Sequence, residues 1–292
     1  MKNIVIGKYT GFCSGVKRCV SFVEKECKNN KTVYAFGELL HNDQEISRLE
    51  KMGLKVIKDV EEIEKASGVS VIIRTHGIEK YNLEKILNLS KNINVIDGTC
   101  PIVKKNQNIV EKYSKQNYNF IIYGDSNHPE IKALLSYIPK DKRFVVISSL
   151  DDVKNINFSS DDKIILLAQT TKPIEEYKEI IERLNNKYKN IKVFDTICKE
   201  TILREKETEE ISKKVETVIV VGGKNSANTK KLASIAKKYN NNVFVINSDD
   251  ELETKYFDKY SSIGIVSGAS TPYWLIQKII DKLNKQQECS VI

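Results

Sequence analysis

Three of the six cysteines stand in short turns that contain glycine or threonine and lead into a helix-like pattern. Cys13 lies in GFCSGVKR, Cys100 in DGTCP and Cys198 in DTICKE. We predict that amide donors and the positive end of the following helix lower the thiol pKa at these positions. Such a thiol could be a nucleophile, a metal ligand or half of a disulfide, and simple burial is the alternative.

The other cysteines have simpler explanations. Cys19 and Cys27 fall on one apolar stripe of a helical pattern, so we expect both in the core. Cys289 belongs to a predicted C-terminal tail, 285–292. Six cysteines in a chain with cytosolic features do not form a disulfide framework, since that compartment keeps thiols reduced.

A repeat places the three turn cysteines at equivalent positions. Short β-rich runs recur along the chain, each followed by a polar turn and a helical pattern, which is typical of parallel α/β architecture. The predicted strands are 3–7, 32–36, 55–57, 70–74, 93–96, 119–123, 144–148, 163–168, 191–194, 217–221, 243–246 and 262–266. They form sets of four, 32–36 to 93–96 and 119–123 to 191–194, and a third set, 217–221 to 262–266, that is one strand short. The strand 3–7 supplies the missing member, so that each turn cysteine follows the fourth strand of its set.

The repeat predicts an α/β protein of three similar domains, each with a small parallel sheet, arranged pseudo-threefold (trefoil) around a central cavity. Units of about 90 residues have the size of small domains. The predicted bounds are 14–99, 100–197, and 198–284 completed by the N-terminal strand 1–13. Because ligands gather at the carboxyl ends of parallel strands, we expect the polar loops to surround one site.

Three equivalent thiols favour one shared metal site. Thiolates from three separate segments suit an iron–sulfur cluster with one iron free of protein ligands, or a zinc ion with an open position. Zinc sites with three cysteines usually contain a close CxxC pair, which the sequence lacks. The absence of such a pair favours an iron–sulfur cluster over a zinc ion.

All three histidines of the chain follow predicted strands: His41 in LLHN, His76 in RTHG and His128 in NHPE. This placement favours anion binding or acid–base chemistry over simple loop roles. A zinc site of three histidines is the alternative, but the cysteines already provide a metal site. Glu130, at the second helical position after Pro129, either complements the helix dipole or is a buried acid with a raised pKa that donates a proton.

Neutral hydrogen-bonding residues stand at further predicted helix starts. Thr170 and Thr171 occur in QTTKP, Ser270 in GASTP, and Ser226 and Asn228 in NSANTKKL. Each is an ordinary N-cap when considered alone. Together they would form a cradle for a phosphate or diphosphate group.

The composition is that of a globular protein of 292 residues with 40% apolar residues and a net charge of +8. The lysines are dispersed and not interleaved with aromatic residues, so we expect no nucleic-acid binding. No apolar run reaches the roughly 18 residues of a membrane span, and no secretory signal is evident. We therefore expect a cytoplasmic protein without membrane contact.

The motifs GFCSGVKR, GELLHN, RTHG, DGTCP, HPE, QTT, DTIC, NSANT and SGAS occur in this order. The series resembles the LytB-type family of hydroxymethylbutenyl diphosphate reductases from about residue 3 to about residue 280. The resemblance implies conversion of (E)-4-hydroxy-3-methylbut-2-enyl diphosphate to isopentenyl and dimethylallyl diphosphate, the last step of the non-mevalonate isoprenoid pathway. It also implies a three-lobed fold around the cofactor.

The resemblance assigns roles to the candidate residues. It implies a [4Fe-4S] cluster, with one iron not ligated by protein, on Cys13, Cys100 and Cys198. It implies that Glu130, acting with Thr170, delivers protons. The implied substrate contacts are His41, His76, His128, Thr170, Ser226, Asn228 and Ser270. One departure is Ala227, where the family often has a second serine, so that a hydroxyl contact is excluded there.

The expected partners are an allylic diphosphate substrate and a reduced ferredoxin or flavodoxin as electron donor, whose acidity suits a mildly basic surface. We expect a monomer.

Two other functions are compatible with the residues. One is a non-redox dehydratase that uses an iron–sulfur cluster or a zinc ion only as a Lewis acid. The other is a non-enzymatic iron–sulfur sensor or RNA-associated module.

Overall fold

Three four-stranded sheets organise the part of the chain that the computed structural model describes, residues 2–29, 32–63, 68–89, 92–224 and 226–289. The strands are β1 (Asn3–Ile6), β2 (Val33–Phe36), β3 (Leu54–Ile57), β4 (Ser70–Ile73), β5 (Asn94–Asp97), β6 (Asn119–Tyr123), β7 (Phe144–Ile147), β8 (Lys163–Ala168), β9 (Asn190–Val193), β10 (Thr217–Val221), β11 (Val243–Ile246) and β12 (Ser262–Ser267). All twelve predicted strands are confirmed, and each predicted end lies within one residue of the observed end.

Helices connect most of the strands. They are α1 (Ser14–Lys28), α2 (Asp43–Lys51), α3 (Lys80–Asn88), α4 (Pro101–Ser114), α5 (Pro129–Leu135), α6 (Ile174–Lys187), α7 (Lys199–Ser212), α8 (Ala227–Tyr239) and α9 (Tyr273–Cys289). Short 3-10 helices follow β3, β7 and β11. The helices α4 and α5 begin at a proline, as the sequence predicts, because proline has no amide hydrogen to leave unpaired at a helix start.

The three sheets share one strand order. It is β3-β2-β4-β5 in one sheet, β7-β6-β8-β9 in the next and β11-β10-β12-β1 in the third. The N-terminal strand β1 pairs in parallel with β12, from Asn3 beside Ser262 to Ile6 beside Ile265. The prediction that the N-terminal strand completes the third set is therefore confirmed.

The inner strands of each sheet are long apolar runs because both of their faces are buried. All four residues of β4 and all five of β10 are buried. The edge strands β5 and β9 are partly exposed and more polar. This contrast explains why the inner strands are the most clearly marked in the sequence.

The described residues fall into two compact units. The first unit lies within Met1–Glu24, Glu38–Leu54 and Lys199–Ile292, and the second within Lys25–Gly37 and Lys55–Cys198. The first unit contains the sheet of β1, β10, β11 and β12. The predicted bounds of three domains stay a prediction.

Apolar side chains of the sheets and of the helices packed on them form the core of each unit. In the first unit, Ile219, Ile265 and Leu275 are fully buried in one cluster. In the second unit, Phe120 and Ile165 are fully buried in another. Such burial stabilises each unit by about 25 cal/mol for every Å² of apolar surface removed from water.

The predicted core cysteines are confirmed, since Cys19 and Cys27 are both buried. Of the predicted tail 285–292, residues 285–289 continue α9, and residues 290–292 lie outside the described part of the chain. Among the described residues, no helix is both long and apolar enough to cross a membrane.

Candidate active site

The backbone amide of each candidate cysteine ligand makes the same hydrogen bond. It donates to the carbonyl oxygen of the second residue after the third strand of its set. The pairs are Cys13 with Ala269 at 2.9 Å, Cys100 with Thr75 at 2.9 Å and Cys198 with Thr170 at 2.8 Å. The equivalence of the three cysteines, predicted from the repeat, is confirmed by this shared bond.

The carbonyl acceptors also place the cysteines beside other candidates. The residue that follows each acceptor in the chain is Ser270, His76 or Thr171, all of which the sequence analysis selected. Each cysteine backbone is thus fixed to a loop that contains a candidate substrate ligand. In each sheet, the shared strand order places the loop with the cysteine next to the loop after the third strand.

All three cysteines stand directly before a helix, and amides of the first turn of α1 and α4 donate to Cys13 and Cys100. The Cys13 carbonyl accepts from the Lys17 amide at 2.9 Å, and its Sγ accepts from the Val16 amide at 3.4 Å. The Cys100 carbonyl accepts from the Lys104 amide at 2.9 Å, at the start of α4. Helix N-termini have unpaired amides, so at both positions these amides act to lower the thiol pKa.

The prediction of a lowered thiol pKa is wrong for Cys100. Burial raises the pKa of this thiol above its ordinary value, although the amides of Ile102 and Val103 act to lower it. The nearby thiol of Cys198 raises it further. Desolvation therefore outweighs the helix amides here, which the sequence pattern could not reveal.

A buried acid lies in the second unit. The Glu130 side chain is 2% exposed, and its two oxygens accept hydrogen bonds from Thr170. The amide of Thr170 donates to Oε1 at 2.8 Å, and its hydroxyl donates to Oε2 at 2.7 Å. Burial raises the pKa of the Glu130 carboxyl from 4.5 to about 7, although the bonds from Thr170 act to lower it. A carboxyl with this pKa can release and recover a proton near neutral pH.

His128 caps the helix that contains Glu130. Its Nδ1 accepts from the Glu130 amide at 3.1 Å. A neutral imidazole has one acceptor and one donor nitrogen, so Nε2 is the donor in this arrangement. The ring packs edge-on against His76, with centroids 5.2 Å apart and planes at 89°. The two histidines of the second unit are therefore brought together, as the sequence analysis expects.

Gln169 is a residue that the sequence analysis missed. It is buried, its Nε2 donates to the Thr171 hydroxyl at 3.1 Å, and its Oε1 accepts from the Asp125 amide at 3.0 Å. It thus connects the QTT loop to the loop that leads to His128. Its position directly after the apolar strand β8 is the feature of the sequence that could have identified it as a site residue.

The first unit contains a second group of candidates. The Ser270 hydroxyl donates to the His41 carbonyl oxygen at 3.1 Å. A Cβ atom added at Gly223 would lie 3.4 Å from that same oxygen and 3.9 Å from Cβ of Ser226. His41, Ser226 and Ser270 therefore occupy one neighbourhood of this unit, although they are far apart in the sequence.

Ser226 has the ordinary role of an N-cap in this structure. Its hydroxyl accepts from the Thr229 amide at 3.4 Å at the start of α8. Asn228 lies in the first turn of this helix and is partly exposed. Ala227 is the first helical residue, so its amide lies at the positive end of the helix.

The fold and these side chains define an α/β protein with anchored thiols and a buried acid in the loops after parallel strands. The profile of the LytB protein family matches residues 4–284, and the chain belongs to this family.

Similar proteins agree with this assignment. Curated 4-hydroxy-3-methylbut-2-enyl diphosphate reductases of Campylobacter hominis and Nautilia profundicola are each 42% identical to the chain. The first alignment covers 97% of this chain and 98% of the relative, and the second covers 95% and 97%.

Two solved structures have the same fold. One is (E)-4-hydroxy-3-methyl-but-2-enyl diphosphate reductase, described as the terminal enzyme of the non-mevalonate pathway, with a TM-score of 0.76 and 34% identity over 98% of this chain and 100% of that one. The other is E-1-hydroxy-2-methyl-but-2-enyl-4-diphosphate reductase from Plasmodium falciparum, with a TM-score of 0.85 and 29% identity over 97% and 88%.

Proposed function

We propose that this chain is a reductase that converts (E)-4-hydroxy-3-methylbut-2-enyl diphosphate to isopentenyl and dimethylallyl diphosphate. The observation that supports this most directly is the position of Thr170. Its carbonyl accepts from the amide of Cys198, while its amide and hydroxyl donate to the buried carboxyl of Glu130. One residue thus links a proposed metal ligand to a proposed proton donor.

The reaction has a simple balance. The carbon–oxygen bond of the 4-hydroxyl group breaks, two electrons and two protons are consumed, and the oxygen leaves as water. Protonation at one or the other end of the allylic system gives the two products. The protein must therefore supply electrons, protons and a fixed position for the diphosphate.

The donor set fits an iron–sulfur cluster. Cys13, Cys100 and Cys198 offer three thiols with the same backbone anchoring, and the thiol of Cys198 is near enough to Cys100 to raise its pKa. We propose that they hold a [4Fe-4S] cluster with one iron not ligated by protein. When bound, this cluster supplies single electrons and a Lewis-acidic iron.

Glu130 supplies protons in this proposal. Because its pKa is about 7, a large fraction of this carboxyl is protonated at neutral pH. The Thr170 hydroxyl, 2.7 Å from Oε2, can accept that proton while it donates its own, so it can relay a proton. Proton delivery by a placed group typically accelerates a reaction by about 10²–10⁴-fold.

The remaining candidates bind the diphosphate. His128 has a donor at Nε2, and His76 packs against its ring. The start of α8, with Ser226 and Asn228, offers amides and polar side chains that favour an anion. We propose that His41, Thr171 and Ser270 complete the set of substrate ligands.

The proposed electron donor is a reduced ferredoxin or flavodoxin, which the net charge of +8 would attract if it is acidic. The monomeric state and the cytoplasmic location stay predictions.

The test is an anaerobic preparation analysed for iron, inorganic sulfide and zinc, followed by spectra with and without the diphosphate substrate and an assay with and without a reductant. We expect iron and sulfide in equal amounts, a substrate-induced spectral change and strict dependence of turnover on the reductant. Zinc without sulfide, or dehydration without reductant, would contradict the proposal.

A further inference from the structure

A stripe of charged residues on α7 faces the segment that contains Cys13. Glu200, Arg204 and Glu207 are spaced by four and three residues, so they lie on one face of the helix. We call these three residues the α7 stripe. Helix α7 begins at Lys199, directly after Cys198 in the chain. All contacts described below lie within the first unit.

Glu200 binds the residue that follows Cys13. The amide of Ser14 donates to both carboxylate oxygens of Glu200 at 3.1 Å, and the Ser14 hydroxyl donates to Oε2 at 2.8 Å. Ser14 is the first residue of α1, and its amide would otherwise be one of the unpaired amides of a helix start. Glu200 therefore acts as a remote cap next to the thiol ligand.

Arg204 binds the chain on the other side of Cys13. This side chain is 2% exposed, and its guanidinium donates to the Gly11 carbonyl at 3.0 Å and to the Ser267 carbonyl at 2.8 Å. The Gly11 amide in turn donates to the Ser267 hydroxyl at 2.8 Å. Gly11 has a φ of 101°, a conformation that glycine adopts readily and other residues rarely adopt, so this turn requires glycine.

Glu207 completes the stripe. Its two carboxylate oxygens accept from the amides of Lys8 and Tyr9 at 2.6 and 2.9 Å. Residues 7–13 contain no helix or strand, and the amides of Lys8 and Tyr9 bind this carboxylate instead of a backbone carbonyl. The α7 stripe thus binds four positions in a stretch of seven residues, Lys8, Tyr9, Gly11 and Ser14.

We propose that the α7 stripe is a positioning device for the Cys13 thiol, and that Glu200 also sets the reduction potential of the cluster. Glu200 is two residues from Cys198 in the chain and bonds to the neighbour of Cys13. Reduction makes a cluster more negative, so a nearby carboxylate disfavours it. This inference rests on the proposed function, because it concerns a ligand of the proposed cluster.

The test compares Glu200→Gln with Glu210→Gln in the full chain, loaded anaerobically with its cluster. Glu210 is on the same helix and exposed, so it is a matched control outside the stripe. Two quantities are measured: the reduction potential, by titration followed with electron paramagnetic resonance, and the rate at which a chelator removes iron. We expect a more positive potential and several-fold faster iron removal for Glu200→Gln, with no change for Glu210→Gln.

Two further variants separate charge from hydrogen bonding. Glu200→Asp keeps the charge but shortens the side chain, so it should keep the wild-type potential and still lose iron faster. Ser14→Ala removes only the hydroxyl bond and should accelerate iron removal less than Glu200→Gln, without a shift in potential. In both variants iron removal accelerates while the reduction potential stays unchanged. Together with the shifted potential of Glu200→Gln, this pattern separates the effect of the Glu200 charge from a general loss of stability.

The inference is overturned if Glu200→Gln has the wild-type potential and the wild-type rate of iron removal. It is also overturned if Glu200→Asp shifts the potential as much as Glu200→Gln does. A failure of the proposed function would look different: Cys13→Ala, Cys100→Ala and Cys198→Ala would then all retain their iron.

Discussion

The candidate residues of the two units differ in how their polar groups are satisfied. In the second unit, the carboxyl of Glu130 and the hydroxyl of Thr170 are buried and bind each other. In the first unit, the hydroxyls of Ser226 and Ser270 bind only backbone groups, and Ser270 is partly exposed. In the proposed function, the first arrangement is preorganised for proton transfer, whereas the second has donors that can exchange a backbone partner for a ligand.

The burial of Glu130 has a cost that Ser226 and Ser270 do not have. A rise in pKa from 4.5 to about 7 corresponds to about 3 kcal/mol of lost stability once the carboxyl is ionised. An N-cap hydroxyl, by contrast, contributes about 1 kcal/mol in favour of folding. The buried acid therefore lowers stability when it is ionised, whereas an N-cap hydroxyl raises stability, and only the proposed proton transfer gives the acid a compensating role.

The largest effect should come from the cysteines. Cys13→Ala, Cys100→Ala and Cys198→Ala should each lose or degrade the cluster and reduce turnover at least about a thousandfold, since a bound metal contributes several kcal/mol to catalysis. Iron and sulfide analysis of each purified variant checks this. The matched controls are Cys19→Ala and Cys27→Ala, which remove buried core thiols.

The controls should retain iron, because their thiols pack on the apolar face of α1 and bind no metal in this proposal. Equal iron content in all five variants would refute the argument from the repeat. Loss of iron in the first-unit variant Cys13→Ala alone would restrict the site to that unit.

The next largest effect concerns the acid. Glu130→Gln should reduce turnover by about 10²–10⁴-fold while the iron content and substrate affinity stay unchanged, because the amide cannot donate the proton. Steady-state kinetics and a substrate-binding titration measure this. Glu175→Gln is the control, since Glu175 also lies in the first turn of a helix but is exposed. Undiminished turnover in Glu130→Gln would remove Glu130 from the mechanism.

The sequence predicts the sheets well because their signal is local. Inner strands such as β8 and β10 are continuous apolar runs between polar turns, and the repeat supplies the number of strands in each set. The same repeat predicts the equivalence of Cys13, Cys100 and Cys198. A local pattern that occurs three times is therefore enough to predict which cysteines are equivalent.

The sequence does not predict properties that depend on distant neighbours. The pKa of Cys100 is raised because burial outweighs two helix amides, and burial is a property of the folded chain. Likewise, Arg204 and Glu207 follow Cys13 by nearly two hundred residues, and only the fold brings them to its segment. Gln169 was missed because a single glutamine in a loop has no distinctive spacing.

A smaller effect is the pH dependence of stability that Glu130 causes. Its pKa is about 7 in the folded chain and 4.5 as the ordinary value, so between these pH values the folded state binds the proton more tightly. The free energy of unfolding contributed by this group therefore falls as pH rises from 4.5 to 7 and is constant above. Glu130→Gln cannot titrate, so it should gain up to about 3 kcal/mol relative to wild type between pH 5 and pH 8.

Denaturant unfolding of both proteins at each pH measures this difference. The loss of the Thr170 bonds shifts all values for the variant equally, so only the change with pH reports on titration. A difference that does not vary from pH 5 to pH 8 would show that the carboxyl is not buried in a way that perturbs its titration. In that case the buried acid of the second unit would not cost more stability than the serine hydroxyls of the first unit.

The smallest effects separate the two serines of the first unit. Ser226→Ala should destabilise the chain by about 1 kcal/mol, because Ser226 caps α8, and should also raise KM. Ser270→Ala should raise KM with almost no loss of stability, because Ser270 is partly exposed and its hydroxyl bonds one carbonyl. Thermal unfolding beside steady-state kinetics makes the distinction. If both variants keep the wild-type KM, these serines are caps and loop residues only, and the diphosphate must be bound by the histidines and backbone amides.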